Sequence, residues 1–172
     1  RFTIAVLVMV AIRPQLFRSI DKTLLIKGSL LGLALGGGYV TQTIGLLYST
    51  AALTGFFTGL YVALTPILAW VLLRQRISKK ALVGVVVATI GLGILSAGSV
   101  AFGWGEISLL ACAVLFALHI IGLGLWSSKH DSYALTVVQL AVCALISWIG
   151  AFVWDGGVQT PPDGEVWFAI IF

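Results

Sequence analysis

Apolar residues along this chain come in long unbroken blocks separated by short polar stretches. Residues 28–48 and 50–73 are two nearly continuous apolar runs, with Ser49-Thr50 as the turn, since a hydroxyl there caps the following helix. Further runs cover 81–97, 107–126 and 133–154. Crossing a hydrocarbon core about 30 Å thick takes about 20 residues of helix. The runs fit that length, and none shows the two-residue alternation of a membrane barrel. The pattern predicts an all-α, polytopic transmembrane helix bundle. Two shorter runs flank it. Residues 2–12 (FTIAVLVMVAI) are too short to span at about 1.5 Å per residue and read as the second half of a helix. Residues 166–172 read as the first two turns of another, so neither end resembles a natural end of the fold.

The polar connections carry a charge asymmetry. Arg13, Arg18, Lys22, Lys27, then Arg74, Arg76, Lys79, Lys80, then Lys129 fall in alternate connections. The opposite set is the Ser49-Thr50 turn, the glycine-rich stretch Gly98–Gly105 with Glu106, and the loop 155–165. That second set holds no basic residue. The positive-inside rule then makes loops 13–27, 74–80 and 127–132 cytoplasmic, and the plasma membrane is the expected location. In this reading His130, between Lys129 and Asp131, is a solvated loop residue.

Composition agrees. The 172 residues are 60% hydrophobic and only 9% charged, with mean hydropathy +1.12. Soluble domains carry about a quarter charged residues, so the apolar excess must meet lipid. The net charge of +4 resides in topology-setting clusters, which argues against nucleic acid as a partner. Cys112 and Cys143 both lie inside apolar runs and form no disulfide framework. No HExxH, GxSxG, P-loop or metal-ligand spacing is present, so no enzyme, metal or cofactor is expected.

Small and polar stripes mark the helix faces. Gly28, Gly32 and Gly36 recur every four residues, as do Thr54 and Thr58, followed by Tyr61 and Thr65. Two readings stay open for them: close helix packing, or the lining of a pathway. Gln42, Gln139 and His119 are costly in hydrocarbon and must face the bundle interior, as structural hydrogen bonds or as solute and proton contacts. Pro66, preceded by Thr65, lacks a backbone donor and predicts a helix kink.

Through the block GYVTQTIGLLYSTAALTGFFTGLYVALTPILAWVLLRQRISKKALVGVVVATIGLGILSAG (residues 38–98), the stretch from Gly28 to Gly98 resembles the EamA family of the drug/metabolite transporter superfamily. The resemblance rests on the Ser49-Thr50-Ala51 turn, Thr65-Pro66, the basic loop Arg74-Gln75-Arg76-Ile77-Ser78 and Thr89-Ile90-Gly91. Gln75 stands where the family pattern has Glu. Residues 106–154 match more loosely. The resemblance implies ten helices in two five-helix inverted repeats. Residues 1–98 would then end the first repeat (partial helix two to helix five), and 106–172 begin the second (helices six, seven and the start of eight). Helix 2–12 would correspond to 133–154 with opposite direction, setting Arg1 against Gln139. The implied function is secondary active transport of a small amino acid-like or drug-like solute by alternating access. Candidate cavity residues are Gln42, Thr58, Tyr61, His119, Gln139 and Arg1. The two glutamines would orient solute, Tyr61 form an aromatic wall, and His119 carry a coupled proton. The bilayer and a small molecule are the expected partners, and a homodimer stays open. The competing reading is a non-transporting membrane subunit or scaffold.

Overall fold

A computed structural model describes residues 1–74, 79–96 and 103–154. All regular structure among them is helical: α1 (Phe2–Ile12), a 3-10 turn (Pro14–Ser19), α2 (Lys22–Tyr48), α3 (Ala51–Gly59), α4 (Tyr61–Leu73), α5 (Lys79–Ser96), α6 (Trp104–Trp126) and α7 (Ser132–Trp154). The expected loop segments 75–78, 98–102 and 155–165, and the run 166–172, lie outside the described residues. Four spans are long and apolar enough to cross a membrane: Lys22–Tyr48, Ala51–Leu73, Trp104–Trp126 and Ser132–Val153. Large apolar side chains such as Leu47, Ile94 and Val153 are mostly exposed, the surface that a multi-pass membrane protein presents to lipid.

Helix ends follow local capping chemistry. Thr50 caps α3 by accepting from the Leu53 N–H at 3.2 Å, so the expected turn is where the sequence put it. Residues 13–27 are not one loop, however. Asp21 accepts from the Leu24 N–H at 2.7 Å and starts α2 at Lys22, so Lys22 and Lys27 ride on the helix. Pro66 lies inside α4, while the break between α3 and α4 falls at Leu60. There the Leu60 N–H reaches Phe57 and the Ala63 N–H reaches Leu60, three residues back, a local 3-10 tightening. The Thr65 hydroxyl donates to the Tyr61 carbonyl at 2.7 Å, just before the residue whose backbone has no donor.

The chain packs as two compact units. The first comprises residues 1–36 and 127–172. Its α2 segment meets α7 through the glycine stripe. A Cβ at Gly28, Gly32 or Gly36 would lie 2.6–2.8 Å from Val138, Val142 or Ile146, which form one ridge of α7 at four-residue spacing. Here the packing reading of that stripe holds. Helix α1 runs antiparallel along α7: Tyr133 Oη donates to the Met9 carbonyl at 2.7 Å, and Trp148 Nε1 to Thr3 Oγ1 at 3.0 Å.

At the basic end of this unit, Asp131 caps α7 through the N–H groups of Tyr133 and Ala134. It also pairs with Arg13 at 3.1 Å, whose guanidinium lies over the Tyr133 ring. His130 is not simply solvated. Its Nε2 sits 3.0 Å from Lys27 Nζ, and because an ammonium can only donate, that nitrogen accepts.

The second unit comprises residues 37–126. Here α3 and α4 pack on α5 and α6, around Leu53, Phe57 and Leu109. The C-terminal half of α2 approaches α6 at Gly45, where a Cβ would meet Leu109 at 2.5 Å.

Candidate functional site

The second unit assembles several polar groups that the sequence scattered over three helices. Gln42 points from α2 to α3, where its Nε2 donates to Thr58 Oγ1 at 2.9 Å. The Cys112 thiol of α6, itself fully buried, lies near the hydroxyls of Thr58 and Thr41. Thr41 also donates back to the Gly37 carbonyl at 2.9 Å. Side chains of three helices thus meet here, one amide, two hydroxyls and a thiol, none of them charged. A glutamine amide offers two donors and an acceptor, and a single hydrogen bond engages one of them.

An aromatic group adjoins this cluster in sequence and on α6. The Phe116 ring meets Tyr39 edge-on at 5.3 Å and Tyr61 at 6.2 Å. Gly38 makes room for it, because a Cβ there would collide with the ring. Tyr61 also lines an apolar groove of about 480 Å³ together with Thr65, Pro66, Gly84 and Ile120. Tyr61 therefore touches one aromatic ring and borders open volume. His119 is half-buried on α6, one turn beyond Phe116 and two turns beyond Cys112.

Gln139 and Arg1 belong to the first unit. Gln139 is 5% exposed on α7, and its Oε1 has no hydrogen-bond partner among the described residues. Its backbone carbonyl faces Gly32. Arg1 precedes α1 and is exposed, its carbonyl accepting the Ala5 N–H.

Thr54, of the threonine stripe, is buried, and its hydroxyl has no hydrogen-bond partner among the described residues. One residue of the second unit escaped sequence reasoning. Glu106, read as a loop charge, sits in the first turn of α6 and is 6% exposed. The readable signal for it was the spacing Gly103 to Glu106, at which an acidic side chain reaches back to cap its own helix.

A sequence profile described as the EamA-like transporter family matches residues 1–97. The chain belongs to the EamA-like transporter family. A curated relative, an uncharacterized transporter of Archaeoglobus fulgidus, is 38% identical over 120 residues. That match covers 70% of this chain and 39% of the relative, so the chain spans about two fifths of that protein's length. No solved structure matches. In this EamA-like chain the matched segment carries Arg1, Gln42, Thr58, Tyr61 and Pro66, while His119 and Gln139 lie beyond it. The family is one of transporters and not of enzymes. Among the described residues no three His, Cys, Asp or Glu side chains gather as metal ligands would.

Proposed function

We propose that this chain is part of a secondary transporter that moves a small, amphipathic, amino acid-like or drug-like solute across the plasma membrane by alternating access. The observation that carries the reading is the uncharged cluster of Gln42, Thr58, Thr41 and Cys112 inside otherwise apolar helices of an EamA-like protein. Polar groups are expensive at membrane depth and are kept there where they meet a partner or a passing solute. An amide and two hydroxyls recognise hydrogen-bonding groups without demanding a charge. Tyr61 and its groove supply an apolar wall beside them.

The remaining assignments follow from this one. His119 carries a coupled proton, since an imidazole changes charge near neutral pH. Gln139, whose oxygen has no partner among the described residues, and Arg1 serve solute from the first unit. The whole transporter has ten helices in two inverted repeats, residues 1–98 closing the first and 106–172 opening the second. The basic ends, including Arg13, Lys27 and Arg74, face the cytoplasm.

The test is flux. Full-length protein reconstituted into vesicles should accumulate or release at least one solute from a panel of amino acids, amines and amphipathic metabolites, with saturation. Absence of flux across the panel, together with a stable partner protein on purification, would replace this reading with that of a non-transporting subunit.

A further inference from the structure

Two stripes of the second unit run side by side. Cys112, Phe116 and Ile120 recur every four residues on α6, and Thr58, Tyr61 and Thr65 recur at three and four residues across α3 and α4. They meet in register. Cys112 lies near Thr58, the Phe116 ring meets Tyr61 at 6.2 Å, and Ile120 borders one groove with Tyr61 and Thr65. The polar cluster therefore lies at one end of this seam and the groove at the other. Thr58 and Thr65 stand about 10 Å apart along the helix direction.

The groove has a volume of about 480 Å³, and of the side chains that line it only Tyr61 and Thr65 carry a polar atom. The Thr65 hydroxyl is committed to the Tyr61 carbonyl at 2.7 Å. Pro66 has no N–H, so the Val62 carbonyl, one turn earlier on the same lining, loses its α-helical donor. A bare carbonyl is costly in hydrocarbon, and a lipid chain has no donor for it. On the α5 side the groove is open at Gly84, where a Cβ would meet nothing within 4 Å.

We propose that the groove receives a bulky apolar group of the solute whose polar end meets Gln42 and Thr58, and that Gly84, by lacking a side chain, sets how large that group can be. The inference rests on the transporter reading above and adds a selectivity position to it. Apolar groups leaving water for such a groove gain with every methylene, and a side chain grown into it takes that gain away.

Alanine, leucine and tryptophan form a probe series with one polar end and a growing apolar group. In vesicles holding the full-length protein, subsaturating flux of leucine or tryptophan should exceed that of alanine by ~10-fold or more. Gly84→Leu should lower that ratio by ~10-fold or more. The variant should fold, since the space at Gly84 is open and leucine is the better helix former. Gly93, on the same helix, does not line the groove and is equally open, so Gly93→Leu adds the same bulk elsewhere and should keep the wild-type ratio. An unchanged ratio in Gly84→Leu would overturn the proposal, as expected if lipid or another segment of the transporter fills the groove. So would an equal fall in Gly93→Leu, or a wild type without preference for the larger probes. If none of the three probes moves while another solute does, this inference fails and the transporter reading stands. If no solute moves at all, both fail.

Discussion

Substituting Gly32 by alanine should loosen the first unit, and the coordinates give the size of the effect. A Cβ at Gly32 would stand 2.6 Å from the Val142 Cβ and 2.7 Å from the Gln139 carbonyl oxygen. Carbon atoms pack at about 3.5–4.0 Å, so α2 and α7 would have to part by roughly 1 Å. Neither obstacle can swing aside. Val142 is β-branched and stiff in a helix, and the carbonyl belongs to the α7 backbone. Overpacking of this kind costs about 1–3 kcal/mol. Alanine returns up to about 1 kcal/mol of helix propensity over glycine. Gly32→Ala should therefore be destabilised by about 1–2 kcal/mol. Gly150, on α7, has nothing within 4 Å of a built Cβ. Gly150→Ala should keep only the propensity gain and be neutral or stabilised by up to about 1 kcal/mol. The assay is the unfolding midpoint of the full-length protein and both variants in the same detergent, followed by tryptophan fluorescence. Equal midpoints for the two variants would refute the claim that the stripe sets the α2–α7 distance.

Two further outcomes are expected. The Asp131 carboxyl is held below its ordinary value of 3.8: burial opposes ionisation, but the Ala134 and Tyr133 N–H groups, the Arg13 charge and the Ser19 hydroxyl outweigh it. A lowered folded-state value means that its stabilising contribution is present at neutral pH and is lost as pH falls below about 3.8. Asp131→Asn should thus lower the unfolding midpoint at neutral pH and flatten its decline in acid, and a variant with the wild-type acid profile would contradict the assignment. Separately, His119→Ala should abolish the pH dependence of solute flux in vesicles, whereas an unchanged pH profile would remove the proton role.

Much of the bundle was legible because hydropathy over a span is a sum and tolerates local ambiguity. The blocks at 28–48, 107–126 and 133–154 each lie within one helix, and 50–73 covers α3 and α4 with Thr50 as the cap. Ends are decided by single hydrogen bonds, and there the reading slipped. Asp21 looks like one more loop charge until its carboxylate is seen capping α2, and Glu106 looks like a loop charge until it caps α6. Pro66 lies inside α4, and the interruption between α3 and α4 comes at Leu60, a residue with no sequence signature for it.

The site was half legible. Gln42 and Thr58 could be named singly because amides and hydroxyl stripes stand out in apolar sequence. Their pairing could not, since periodicity gives the face of a helix and not the neighbour it meets. Phe116 and Cys112 were invisible for the opposite reason: in an apolar helix they look like filler until Tyr39, Tyr61 and Thr58 are found beside them.

The central claim is that the Gln42–Thr58 pair meets solute during transport. Saturable flux of a transported solute by the full-length protein in vesicles, compared for wild type, Gln42→Leu, Thr58→Val and the double variant, tests it most directly. Each single substitution strands or deletes one partner of a half-buried hydrogen bond and should lower flux at subsaturating solute by ~10-fold or more. The double variant should be no worse than the weaker single one, because the two groups act as a unit. Wild-type flux in Gln42→Leu, with normal membrane insertion, would contradict the account.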